Sequence, residues 1–425
     1  MLTSMNHVSL DIDILFMIIS LLSTKDALAL SLTSREVHLF AKQHALSSVK
    51  LTSPKQLSKF CDSMLAFGVN DEIRIATRGL FSDVPRLAEL IMHASHLEFF
   101  SIHCVEWLLL HGSPIGDAIA SLPNLEELEL HQADSQALDM VRMLQSGLRK
   151  LVLYHSEYDQ FTPPQILPFI LPFRNLQVLR LSESCRFEEF DIPWDEQWQW
   201  PAVRDLQLIQ SQLSMAQFVR AFPCVRKLSL WGVGYNEEPE TQCWDSLDYV
   251  YIGCGLQSNE FAWSAPCEIP HPAYSGAARL RYLDLTLDLT RRKRGTHLAQ
   301  WLEKIPPILN KLAIICIRVC IASRNNKPVL SRAAITVRWR LRLATCIHSL
   351  RYIAIARKIG GVPCMAEESS WSRVSGPAQE RRLQALPTHV GVRVHAYLHA
   401  GDMDSLDRKH FPYPRRQYAS TRSEM

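Results

Sequence analysis

The sequence predicts a mixed α/β protein in which a three-helix N-terminal module precedes a curved, irregular solenoid of strand–helix repeats. Three observations lead to this prediction. Apolar residues at helical spacing alternate with helix-capping residues before residue 46. The string L-x-x-L-x-L then recurs along most of the chain, and stretches with helical periodicity lie between its copies. The 425 residues, 47% hydrophobic and 21% charged, are enough for an extended repeat array.

The N-terminal helices are predicted from apolar stripes and capping residues. The first stripe has helical spacing and consists of Ile14, Leu15, Ile18, Leu21 and Leu22. Asp11 or Asp13 suits its N-terminus, since a carboxylate caps free amides and matches the helix dipole. A capping box at residues 23–26 opens a second helix, and another at residues 33–36 opens a third. Three helices this short bury little area alone, so exposed leucines on them imply a partner or a neighbouring domain.

The order of these motifs resembles an F-box. Leu10-Asp-Ile-Asp-Ile-Leu15 is followed by an aliphatic helix, by Asp26-Ala-Leu-Ala-Leu30 and by Leu32-Thr-Ser-Arg35, although Asp11 stands where the family has proline. The resemblance implies docking on a Skp-type adaptor that bridges to a cullin scaffold. The implied adaptor-binding residues are Leu10, Ile14, Leu15, Ile18, Leu28 and Leu32. The alternative is that these leucines pack against the domain that follows.

The body of the chain is predicted to consist of degenerate leucine-rich repeats. Copies of the string, some with Val, Ile or Phe in place of Leu, begin at residues 97, 125, 148, 176, 203, 225, 247, 280 and 350. From residue 97 to residue 280 they are 22 to 33 residues apart, close to the roughly 20–29 residues of such repeats. The uneven spacing and the missing Asn/Cys ladder resemble the irregular leucine-rich F-box proteins of fungi.

Each string predicts a short strand whose apolar residues point into the core and whose intervening residues point outward. The outward positions form a row that we interpret as a substrate-binding surface, because Tyr and Trp are enriched at interface hot spots. This row contains Phe99, Tyr154, Trp231, Tyr249, Tyr251, Tyr282 and Tyr352. The alternative is that these rings lie half-buried on the sheet, as strand propensity alone favours.

Pattern changes along the chain give the predicted domain boundaries. They are an F-box at 1–46, a helical linker or cap at 47–95, repeats at 96–358, a C-terminal cap at 359–410 and a disordered tail at 411–425. Within the repeats, Arg318–Ile347 lacks the string and is interpreted as an insertion, as a strand pair around Asn325 and Asn326, or as translated non-coding sequence. Val390–Tyr397 is predicted to be a strand.

Composition and motifs exclude several classes of function. Eleven cysteines without a CxxC pair or zinc spacing predict neither disulfides nor a metal site, and suit the cytoplasm or nucleus. The apolar run at 14–22 follows acidic residues, which is the wrong charge for a signal peptide, and no later run is long enough for a membrane helix. Phosphate-loop, hydrolase and RING-type motifs are absent, so neither an enzyme nor a cofactor is predicted.

The function that we expect is a non-catalytic substrate adaptor of a cullin–RING (SCF-type) ubiquitin ligase, with an unidentified protein as its substrate. One alternative is a leucine-rich interaction scaffold without a link to a ligase. The other is an Arg-rich protein that associates with nucleic acid, since residues 279–358 hold 18 basic and three acidic residues. A solvated basic edge explains that charge equally simply, and we do not expect nucleic acid as the partner.

Overall fold

The computed structural model describes two compact units, residues 1–203 and 204–425, and each is described by itself. The residues described are 12–46, 48–51, 53–67, 74–77, 84–110, 114–155, 167–182, 198–209, 212–213, 219–231, 234–235, 246–253, 280–288, 306, 309–310, 312–323, 332–359, 368–377 and 380–400. The predicted tail at 411–425 therefore lies outside the described residues.

Three helices begin the first unit, as predicted: α1 (Ile12–Ser20), α2 (Thr24–Ser31) and α3 (Arg35–Leu46). Ser23 is the N-cap of α2, where its hydroxyl accepts the amide of Asp26 at 3.2 Å. Two histidines of α3 bond to the backbone of the preceding helix and turn. His38 Nδ1 lies 2.8 Å from the Ser31 carbonyl oxygen, and His44 Nε2 lies 3.1 Å from the Leu22 carbonyl oxygen.

The rest of the first unit is a parallel sheet whose six strands pair in chain order. Its elements are β1 (Ser48–Leu51), α4 (Pro54–Phe67), β2 (Arg74–Thr77), α5 (Val84–His93), β3 (Phe99–Ile102), α6 (Val105–Leu110), α7 (Ile115–Ala120), β4 (Glu127–Ala133), α8 (Ser135–Arg142), β5 (Lys150–His155), α9 (Leu167–Ile170) and β6 (Val178–Ser182). The predicted apolar positions of the strings are buried, as at Leu128, Leu130 and Leu151. Such strands bury their apolar residues only by stacking repeat on repeat.

Segment 47–95 corrects the prediction of a helical linker or cap. It contains β1 and β2, which pair in parallel with each other and with β3. Ser48 is in register with Arg74, and Arg74 is in register with Phe99. The parallel sheet therefore begins before residue 96. The string at β1 is Leu46-x-x-Val49-x-Leu51 and departs from L-x-x-L-x-L by one valine. The string at β2 has no leucine, so the search does not detect it.

The second unit continues the same architecture. Its elements are β7 (Asp205–Ile209), β8 (Gln212–Leu213), β9 (Lys227–Trp231), β10 (Gly234–Tyr235), β11 (Tyr249–Gly253), β12 (Tyr282–Asp288), β13 (Cys316–Ser323), α10 (Arg332–Cys346), β14 (Tyr352–Ile359), β15 (Glu368–Ser375), β16 (Arg382–Leu386) and α11 (Thr388–Ala400). Strands β7, β9 and β11 to β14 pair in parallel, β15 and β16 add antiparallel strands at the end, and β8 and β10 form a separate pair.

The interpretation of Arg318–Ile347 as an insertion or as a strand pair is wrong. Most of this segment lies in a strand of the main sheet and a helix, since β13 pairs in parallel with both β12 and β14, and α10 follows it. Ile314, Ile317 and Val319 occupy the three apolar positions of the string and are buried. The string is hard to detect here because β-branched residues replace all three leucines.

The prediction of a strand at Val390–Tyr397 is also wrong, because this segment lies in α11. Val390, Val392 and Val394 alternate with polar residues and suggest a strand. However, the buried residues of the helix are Gly391, Val394 and Leu398, which share one helical face. Tertiary packing of this face has overridden the β propensity of the valines.

Candidate binding surfaces

The N-terminal module places its large apolar side chains on the outside. We call the following set the N-terminal apolar surface, with exposed fractions in parentheses: Ile14 (44%), Met17 (59%), Ile18 (39%), Leu21 (81%), Leu28 (50%) and Leu32 (80%). Its small core consists instead of Ile19, Ala27, Ala41 and Ala45. A group of exposed large apolar residues on one small module is typical of an interaction site.

Four of the six predicted adaptor-binding residues lie on this surface, namely Ile14, Ile18, Leu28 and Leu32. Leu15 is half-buried, and Leu10 lies outside the described residues. Met17 and Leu21 were not predicted as contacts, although Leu21 belongs to the helical stripe that includes Ile14 and Ile18. The exposure of Leu28 and Leu32 shows that these two leucines do not pack against the domain that follows.

The outward positions of the first unit form a charged surface, which we call the first-unit face. Lys150 Nζ lies 2.8 Å from Glu129 Oε1 and 3.1 Å from Glu127 Oε2, and it lies 5.8 Å from the ring centroid of Phe99. These side chains are neighbours because Phe99, Glu127 and Lys150 are paired in register across β3, β4 and β5. Arg180 lies in register with Glu129 through Val152, so this part of the face holds two carboxylates and two basic groups.

Three rings stack beside these charges, at the carboxyl ends of the same strands. The centroids of His103 and His131 are 3.8 Å apart, and those of His131 and Tyr154 are 4.4 Å apart. Burial raises the pKa of the Tyr154 hydroxyl above its usual value, while the nearby Arg180 opposes this shift, so the phenol is neutral at physiological pH. Cys104 and Gln132, which follow the two histidines, have positive φ values of 57° and 58°. This backbone conformation is uncommon for residues with a side chain. At Gln132 it coincides with a bulge in β4, where the register with β5 shifts between His131 and Ala133.

The second unit differs, because α11 covers outward positions of β11, β12, β14 and β15. Three tyrosines are almost completely buried, with exposed fractions of 5% for Tyr249, 0% for Tyr282 and 9% for Tyr352. They pack with Trp371, Val394 and Leu398 in one buried cluster. We call these four rings the tyrosine face. The expectation that the three tyrosines form an open surface is therefore corrected: the helix lies on them.

The other predicted surface residues have mixed positions. Phe99 and Tyr154 are half-buried on the first-unit face, and Tyr251 is half-buried with its hydroxyl 3.1 Å from Thr286 Oγ1. Trp231 ends β9, but its side chain lies outside what the structure describes. The tyrosines therefore do not form one continuous row on an open surface.

A buried ion pair and a histidine lie at the contact between α11 and the sheet. Arg318 Nη1 lies 2.6 Å from Asp284 Oδ2, and the Asp284 side chain is only 2% exposed. Burial, helped by Arg318 and His399, lowers the pKa of His395 to about 4. Burial also raises the pKa of Tyr282 well above its usual value. Because the phenol is protonated and the imidazole neutral at pH 7, Tyr282 donates to His395 Nδ1 over 2.6 Å.

The described residues contain no group of three or more His, Cys, Asp or Glu side chains arranged to hold a metal ion. Within the same residues, no helix has the length and apolarity needed to cross a membrane. No protein-family model matches the sequence, and no curated protein is significantly similar to it.

Proposed function

We propose that this chain is an F-box protein with irregular leucine-rich repeats, acting as a substrate-recognition subunit of a cullin–RING (SCF-type) ubiquitin ligase. The observation that supports this proposal most is the N-terminal apolar surface. Residues in the order typical of an F-box form three helices, and four of the six residues that the resemblance assigns to the adaptor are exposed. A partner that covers them would remove from water an apolar area that is costly to leave exposed.

In this proposal the chain contributes position and no chemistry. The N-terminal module attaches the chain to the Skp-type adaptor, and the repeats hold a protein substrate. The ligase core, attached through the adaptor, then encounters substrate lysines at a high effective concentration. The first-unit face, with its paired carboxylates and basic groups beside half-buried rings, is the candidate substrate contact that is partly accessible.

Co-purification of the full-length chain with a Skp-type adaptor tests the proposal. We expect the wild-type chain to retain the adaptor and the Leu28→Asp variant to lose it, because burying one leucine contributes roughly 1.5–3 kcal/mol. Met92→Asp is a suitable control, since Met92 is 57% exposed on α5, outside the N-terminal module. Retention of adaptor by Leu28→Asp would argue against this surface, and no adaptor with the wild type would leave the interaction scaffold as the better interpretation.

A further inference from the structure

One arginine of the first-unit face differs from its charged neighbours, because no carboxylate among the described residues is paired with it. Glu127 and Glu129 both contact the ammonium group of Lys150, at 3.1 and 2.8 Å. Arg180 occupies an outward position of β6, in register with Val152. It is half-buried, and its Nε atom is buried without a hydrogen-bond partner. The two carboxylates of this region are therefore already paired, and the guanidinium is left over.

Two other arginines show why this arrangement is unusual. Arg340 and Arg381 also have a buried Nε atom without a partner. However, a terminal nitrogen of Arg340 donates to Ser370, and the two terminal nitrogens of Arg381 donate to backbone carbonyl oxygens. Arg180 donates to no described residue. A guanidinium has five N–H donors, so the partial burial of Arg180 carries a cost that the described part of the chain does not offset.

A second hydrogen-bond donor lies beside Arg180. Tyr154 is in register with Ser182, two residues along β6 from Arg180, so the tyrosine and the arginine are diagonal neighbours on one face of the sheet. Burial raises the pKa of Tyr154, and Arg180 is close enough to oppose that shift. The Tyr154 hydroxyl is therefore protonated and able to donate, and it bonds to no described residue. Its ring is held by stacking on His131, so the position of this donor is fixed.

We propose that Arg180 and the Tyr154 hydroxyl bind an anionic group of a protein substrate, either the carboxylate of an acidic side chain or the phosphate of a phosphorylated serine or threonine. Both groups present oxygen atoms that accept hydrogen bonds from a guanidinium and from a phenol. Glu129 is close enough to raise the pKa of Tyr154, but the contact with Lys150 offsets its negative charge. As a substrate site, this surface rests on the proposed ligase function; as an anion-binding site, it is testable without the adaptor.

Urea denaturation of the full-length chain separates this binding role from a structural role. We expect Arg180→Met to keep or raise the midpoint of unfolding, because it removes a guanidinium without an acceptor and retains an unbranched apolar side chain. Arg381→Met is the matched comparison, and its midpoint should fall, because this variant loses bonds to two backbone carbonyl oxygens. An equal fall in the two variants would assign Arg180 to the stability of the fold and overturn the proposal.

Synthetic peptide pools test binding directly, with the full-length chain immobilised and no adaptor present. Three pools share the same randomised flanks and carry serine, glutamate or phosphoserine at the central position. We expect the wild-type chain to retain the glutamate or the phosphoserine pool at least fivefold better than the serine pool. Arg180→Gln should abolish this preference, and Tyr154→Phe, which keeps the stacked ring, should reduce it at least twofold. Arg142→Gln is the matched control, because it removes the same charge from an exposed position of α8 and should leave the preference unchanged.

The outcomes of this experiment distinguish the source of the anion and the two proposals. Preference for phosphoserine alone would assign the site to a phosphate, and preference for glutamate alone to an acidic side chain. Equal retention of the three pools by the wild type, or the same preference in the wild type and in Arg180→Gln, would overturn the anion-binding site, whether or not the adaptor co-purifies. Conversely, an Arg180-dependent preference in a chain that retains no adaptor would reject the ligase function and keep the anion-binding site.

Discussion

At the scale of single residues, Glu106 joins α6 to the start of α8 through its carboxylate. It is 9% exposed and accepts the amides of Asp134, Gln136 and Ala137 at 2.9, 2.9 and 3.0 Å. These amides lie at the start of α8, where free N–H groups need acceptors and the helix dipole favours negative charge. One side chain from α6 thus satisfies donors that α8 cannot satisfy within its own helix.

Glu106→Gln should therefore destabilise the chain with almost no change in volume. The amide that replaces one oxygen places N–H opposite N–H and leaves a buried donor without an acceptor, at a cost of about 1–3 kcal/mol. The matched control is Glu126→Gln, because Glu126 makes an exposed ion pair with Arg149 at 3.3 Å, worth less than about 1 kcal/mol. Urea denaturation measures both variants, and equal midpoints would contradict the bridging role of Glu106.

At the scale of elements, the packing of α11 should depend on pH through His395. The groups that face this histidine are Tyr282, Arg318 and His399, together with the Trp371 ring. Its pKa is about 4 in the packed state and about 6.5 when exposed, so the detached helix binds the extra proton between these values. Packing is therefore complete above pH 6.5 and weakens as the pH falls toward 4.

Protection factors of the α11 amides measure this dependence once the intrinsic effect of pH on exchange is removed. We expect a loss on the order of tenfold between pH 7 and pH 5. His395→Gln keeps an acceptor for Tyr282 and does not titrate, so its protection should be flat over this range. An equal pH dependence in the variant would assign the effect to another group, with His399 the nearest.

Also at the element scale, the sequence predicts those helices and strands whose formation depends on residues within a short segment. The N-cap at Ser23 and the return helix before Gly147 have the expected places, because capping and periodicity are properties of short segments. The string at Ile314 and the helix at Val390 were missed because their residues are β-branched. The strand β13 is determined by its pairing with β12 and β14, and the helix α11 by the contact of Gly391 with Trp371. In both cases the partner residues lie far away in the sequence.

At the scale of the whole molecule, the candidate sites were predictable to different degrees. Leu28 and Leu32 are exposed, in agreement with the interpretation of their module as an interaction site. The small core of this module contains mainly alanines and does not include the two leucines. The tyrosines were placed on an open surface because the repeat pattern specifies only which side of the strand a residue occupies. It does not specify what covers that side, and α11 supplies the cover from the other end of the second unit.

The most direct test of the central claim is a titration of the purified full-length chain with a purified Skp-type adaptor. Leu32 and Met143 form a matched pair, because both are exposed C-cap residues with nearly equal dihedral angles, φ −87° and ψ −7° against φ −85° and ψ −6°. An aspartate at either position meets the same unfavourable helix dipole. We predict that Leu32→Asp weakens adaptor binding at least tenfold and that Met143→Asp leaves it unchanged. Equal affinities of the two variants, or no binding by the wild type, would contradict the assignment of the N-terminal apolar surface to the adaptor.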